Sequence, residues 1–207
     1  MKYIFLIVAT ILLLFLVLYN PRPLTKLDNV IMSVNLEEKY SPYMNVGCFE
    51  GEARLRHSTG VYASHCSCLV VKICNEMGVK ILQPPEVPQK HLADNQLKWL
   101  NSEEGRKHGW IKITESSPER YQIANDLSEK GHVVITGIRI TPKTNGHIAV
   151  VRPSQRPKLY IDAYGPDVIT SSRPNSYADS VYEDFKHWNI ELGKTEHLME
   201  YFYNKKL

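Results

Sequence analysis

A thiol and an imidazole stand out as a pair that could do chemistry together. Cys66 opens the apolar run HCSCLVVKICNEMGV, which begins at His65, and His147 opens NGHIAVVRP after Asn145 and Gly146. A cysteine nucleophile needs a base to take its proton and later return it to the leaving group. A helix start suits the cysteine, because the positive end of the helix dipole favours the thiolate. The first-turn N–H groups have no partner inside the helix, so the amide of Cys66 is a candidate oxyanion donor. The side chain of Ser67 is a further oxyanion or substrate candidate. So is Tyr62, four residues before Cys66, although a core aromatic is an equally good reading of that position.

The elements that would carry the pair follow from hydrophobic spacing. Val70, Ile73 and Met77 recur at helical intervals on the stripe of Cys66, Leu69 joins them, and Gly78 is a natural stop, so Ser67 to Met77 is expected to be a helix. Further helices are expected over Gln89–Glu104 and over Pro118–Lys130, the latter capped by Ser116 or Ser117 and closed by Gly131. A short helix is expected within Leu24–Tyr40, and helices near Ala178–Trp188 and Thr195–Asn204. His132–Ile140, His147–Arg152 and Lys158–Ala163 read as strands. Helices followed by an antiparallel sheet imply an α+β domain.

If the turn between the last two strands centres on Ser154 and Gln155, Ile148 faces Ile161, Val150 faces Leu159, and His147 faces Asp162. Asp162 would then orient the imidazole. The plainer reading is that Asp162 ends the strand and caps the loop Tyr164-Gly165-Pro166. For Cys66 the plainer readings are an inert buried thiol or one ligand of a metal set with His57, His65 and Cys68. The C-x-C spacing does not suit a structural zinc site, so no metal and no cofactor is expected.

HCSCLVVKICNEMGVKI resembles the D-C-S-G-L-V-x-x-x-x-x-x-x-G-V motif of NlpC-like cell-wall cysteine peptidases. Its cysteine segment and GHIAVV are similar to those of the related CHAP amidases. The resemblance covers roughly residues 62–163. It implies a papain-like domain with N-terminal helices packed on an antiparallel sheet, with Cys66 as nucleophile and His147 as base. The third residue is carried to Asp162 by position only. The implied substrate is the peptide portion of peptidoglycan. Two positions depart from the motif: His65 replaces aspartate, and Cys68 replaces glycine, which sets a second thiol two residues from the first. A thiol acyltransferase and a non-catalytic wall-binding domain on the same scaffold are the alternative functions.

The 207 residues carry a net charge of +3, too small to argue for nucleic acid, and no RNA-binding or zinc-finger spacing is present. Residues 21–40 read as linker and short helix, and 41–207 as the papain-like domain. Residues 1–20 read as an uncleaved signal-anchor. Tyr3 to Tyr19 is apolar except for Thr10 and would span about 26 Å as a helix. No A-x-A-like cleavage site follows it. The expected placement is a single-pass membrane protein with its domain on the outer side. Membrane and peptidoglycan peptide are then the partners, and a protein inhibitor is compatible with the sequence. Export would let two of Cys48, Cys66, Cys68 and Cys74 oxidise, and a nucleophilic Cys66 must stay free of that.

Overall fold

The computed structural model describes residues 22–36, 44–45, 48, 54–55, 65–87, 92–139, 146–171, 176–186 and 196–206. The proposed anchor, His57, Tyr62 and Asn145 lie outside the described residues. Among those described, no helix is long and apolar enough to cross a membrane.

The chain begins with α1 (Lys26–Ser33), held at its start by a capping box in which Thr25 and Asp28 satisfy each other's backbone N–H groups. Its Leu27, Val30 and Ile31 turn inward and join the same hydrophobic cluster as the cysteine helix, so this segment is packed onto the domain. A short antiparallel ladder pairs β1 (Met44–Asn45) with β2 (Arg54–Leu55). Helix α2 (Cys66–Met77) follows and ends at Gly78 in the left-handed conformation, with φ of 76°, as the spacing predicts. Nine of its twelve residues are buried, so α2 is a central helix with only Lys72, Asn75 and Glu76 turned away.

The expected helix over Gln89–Glu104 is two helices, α3 (Leu92–Leu100) and α4 (Glu103–Lys107). They are separated where Ser102 caps the second by accepting from the Gly105 N–H. Next come β3 (Trp110–Ile113), α5 (Glu119–Glu129), β4 (Val134–Ile138) and β5 (His147–Val151). The capping residue of α5 is Pro118, with no side-chain cap bond, rather than Ser116 or Ser117.

The segment expected to be the third strand is instead α6 (Lys158–Tyr164). The alternation of Leu159, Ile161 and Ala163 mimics a strand, yet Leu159 is 82 % exposed and Ile161 alone is buried. Pro157 starts the helix, and Lys158 pairs with Asp162 one turn on. The strand beside β5 is β6 (Asp167–Thr170), with Val150 opposite Ile169 and Val151 opposite Val168.

The tail also departs from the helical reading. β7 (Ser176–Ser180) precedes a one-turn α7 (Val181–Phe185), and a 3₁₀ turn at Glu196–Leu198 leads into β8 (Glu200–Asn204). The run Glu-Tyr-Phe-Tyr-Asn has the aromatic content of a strand.

The six strands from β3 to β8 form one antiparallel sheet in the order β3-β8-β4-β5-β6-β7. Alternate residues feed two cores. Ile135, Ile148, Val150, Ile169 and Phe202 pack against α1, α2 and α3. Val134, Ala149, Val151, Val168 and Tyr201 pack against α5, α6 and α7. The result is a mixed α+β fold with helical layers on both faces of the sheet.

Candidate active site

The site forms at the end of the sheet where β5 begins and β6 ends. Helix α2 packs on β5 from the first layer and presents Cys66 at its first residue. A backbone hydrogen bond fixes that start: the N–H of His65 donates to the carbonyl of Ser171 at 3.0 Å. Ser171 follows Thr170, the last residue of β6, so one bond ties the cysteine's helix to the strand beside His147. A disulfide joins Cys68 to Cys48 with 4.5 Å between Cα atoms, which ties the first turn of α2 to a residue between β1 and β2. Cys66 and Cys74 are buried and take part in no disulfide.

His147 is the first residue of β5 and is fully buried. Gly146 must be glycine because a Cβ there would lie 2.4 Å from Asp94 Oδ1 and 2.7 Å from the Ile138 carbonyl. The same Asp94, in the first turn of α3, accepts the Gly146 N–H at 3.2 Å. The approach to the histidine is thus gripped from the helical layer and from the sheet.

The imidazole is held on several sides. Its Nε2 donates to Asp184 Oδ2 at 2.8 Å, and Thr170 Oγ1 stands 3.3 Å from the same nitrogen. Phe185 packs against the ring with centroids 4.7 Å apart. The Cys66 side chain also hydrogen-bonds to His147. Asp184 reaches the ring because Ser180 caps α7, accepting from the Glu183 N–H, and places Asp184 and Phe185 on its buried side.

Burial alone would drive the imidazolium toward neutrality. The negative charges of Asp184 and Cys66 and the hydrogen bonds to both outweigh it and raise the His147 pKa from 6.5 to about 10. At neutral pH the residue is therefore an imidazolium between a carboxylate and a sulfur. An imidazolium beside a sulfur is the arrangement that favours a thiolate.

The structure brings Cys66 and His147 together but does not bring Asp162 to them. Asp162 is on α6, where it accepts from Gln122 at 2.8 Å and pairs with Lys158 at 2.9 Å. The hairpin register that set it beside His147 fails because its segment is helical. The carboxylate on the imidazole is Asp184, 37 residues beyond the histidine. Neither Asp184 nor Thr170 carried a sequence signal for this role. Asp184 sat inside an expected helix whose facing could not be read, and Thr170 belongs to an unanticipated strand. Ser67 is buried, and its carbonyl accepts from Gln96 Nε2 at 3.3 Å.

No protein-family model matches this chain, and no curated protein matches it either.

Cys68, the rival thiol, is consumed by its disulfide, which also removes it from any metal set with His65 and Cys66. Among the described residues no cluster of three or more His, Cys, Asp or Glu could hold a metal ion. A thiol and a carboxylate converge on one imidazole ring.

Proposed function

We propose that this protein is a cysteine amidase or peptidase in which Cys66 is the nucleophile, His147 the proton carrier and Asp184 the orienting residue. The observation that carries the proposal is the imidazole held between the Cys66 thiol and the Asp184 carboxylate. The thiolate adds to a carbonyl carbon, and backbone N–H groups at the start of α2 stabilise the oxyanion. As the tetrahedral intermediate collapses, the C–N bond breaks and His147 gives its proton to the departing amine. Water then attacks the thioester, His147 takes a proton from it, and the acid leaves as the sulfur is regenerated.

The proposed substrate is an amide bond in peptidoglycan peptides, by resemblance to the NlpC-like and CHAP enzymes around Cys66 and His147. The proposed setting is a membrane anchor formed by the apolar run Tyr3–Tyr19, with the domain outside. The Cys48–Cys68 disulfide supports an oxidising compartment. Protease treatment of intact cells should digest the domain, and digestion only after lysis would reverse the orientation.

A non-catalytic wall-binding domain is the rival, and the small exposure of Cys66, 4 %, favours it. Purified sacculi separate the two. Release of peptide fragments by the wild type but not by Cys66→Ala, measured by mass spectrometry, supports hydrolysis. Sacculus binding with no release by either protein supports the rival.

A further inference from the structure

The far ends of β5 and β6 carry a second feature that the thiol chemistry does not use. A cavity of about 390 Å³ lies there, lined among others by Arg22, Asp28, Met32, Arg152, Arg156 and Asp167. Asp167 and Thr170 are three residues apart on β6, so the cavity begins about 10 Å along the strand from the His147 contact.

Two polar atoms of opposite kind are left unanswered on residues lining this cavity. Arg22 Nε and Asp167 Oδ1 are buried without a hydrogen-bond partner. Their sister atoms are engaged. Arg22 Nη1 and Nη2 donate to Asp28 at 2.8 and 2.5 Å, and Asp167 Oδ2 accepts from Ser154 Oγ at 3.0 Å. Arg156 Nε stands 3.7 Å from Asp167 Oδ1, an ion pair beyond hydrogen-bond length. Buried polar atoms are normally satisfied. A donor and an acceptor left over at one cavity fit a ligand that offers both an acceptor and a donor. The unanswered donor belongs to a guanidinium, and a charge-assisted bond to it favours an anionic acceptor.

The surroundings narrow the ligand. Leu24 and Met32 also line the cavity and are 62 % and 60 % exposed, which gives it an apolar rim. Arg22 is also where the chain arrives from the apolar run. Only Asn20 and Pro21 separate Arg22 from Tyr19, so three peptide links reach about 10 Å at most. A span that crosses a bilayer would bring this cavity to the headgroup layer, where basic residues meet lipid phosphates.

We propose that the cavity seats the headgroup of a membrane phospholipid. The phosphate lies against Arg22 and Arg156, an N–H or O–H of the headgroup donates to Asp167, and Leu24 and Met32 lie against the acyl chains. The site rests on the anchored reading of the N-terminus and not on the thiol chemistry. It would hold the domain with its Cys66 end turned away from the bilayer.

The test uses the full chain in micelles of a neutral detergent, titrated with phosphatidylethanolamine or phosphatidylcholine of identical acyl chains, with retained lipid counted by native mass spectrometry. The two lipids share the phosphate, but the quaternary ammonium of the second has no N–H to donate. The wild type should retain phosphatidylethanolamine at about fivefold lower lipid concentration or less. Arg156→Gln should weaken that retention by a similar factor, and Asp167→Asn should erase the preference between the lipids. Equal retention of the two lipids by the wild type would overturn the proposal without reliance on any variant. Complete displacement by equimolar inorganic phosphate would also overturn it, in favour of a soluble anion. Release of the full chain from membranes by alkaline carbonate would instead refute the anchor, a result that micelle binding does not affect.

Discussion

Helix α2 carries two buried thiols eight residues apart, and their surroundings differ completely. Cys74 is enclosed in the hydrophobic core, and burial alone pushes its pKa far up, so it stays protonated and inert. Cys66 is nearly as buried but lies at the helix start, against an imidazole that Asp184 and the sulfur itself keep charged. Burial by itself disables a thiol. What distinguishes Cys66 is a cation supplied by another part of the chain.

The sharpest way to break this comparison is to remove each thiol in turn. Cys66→Ala should reduce kcat/KM on released-fragment assays by about 10³-fold or more. Cys74→Ala should leave it within about threefold while lowering stability by about 1–2 kcal/mol through the lost packing. Comparable losses in the two variants would remove the distinction.

The next effect should come from the carboxylate. Asp184→Asn keeps the shape but removes the charge on His147, and kcat should fall by about 10²-fold or more. Activity that needs the imidazolium as acid should decline in wild type as pH rises through about 10. In Asp184→Asn that limb should move down by about 1–3 pH units. Asp162→Asn should leave both rate and profile unchanged, because its carboxylate faces Lys158 and Gln122.

A smaller effect is structural. Gly146→Ala must push against Asp94 Oδ1 and the Ile138 carbonyl, and should cost about 1–3 kcal/mol, seen as a lower Tm. The loss should fall on the histidine side of the site and leave the packing around Cys74 intact.

The subtlest test is the pH dependence of stability. His147 has a folded pKa above its ordinary 6.5, so it stabilises the native state fully below that value. This contribution drains away as pH rises through about 10. Urea midpoints of the wild type and His147→Gln should therefore converge between pH 6 and 10.5. A constant gap would mean that His147 is not charged in the fold.

The two halves of the site were unequally legible in the sequence. The helix of Cys66 could be read because Val70, Ile73 and Met77 repeat at its period and Gly78 ends it. The start of β5 could be read because Gly146 precedes a run of β-branched residues. Both are local signals. The partner of His147 was not local. The alternation in Leu159, Ile161 and Ala163 satisfied a strand pattern, while Pro157 and the Lys158–Asp162 pair made a helix of the same residues. Asp184 depends on how β7 delivers α7 to the sheet, and no spacing between residues 147 and 184 encodes that. Likewise, Tyr201, Phe202 and Tyr203 fit a helix only until β8 is seen to need partners on both sides.

That central place of β8 has a consequence for timing. Residues 200–204 fill the gap between β3 and β4, although the chain makes those two strands much earlier. A nascent chain emerging from the ribosome carries Cys66 and His147 long before it carries the strand that closes the sheet. Until then β4 lacks one neighbour and β3 has no place in the ladder. The order of the sheet is therefore completed only by residues 200–204, and β3 joins the ladder through them.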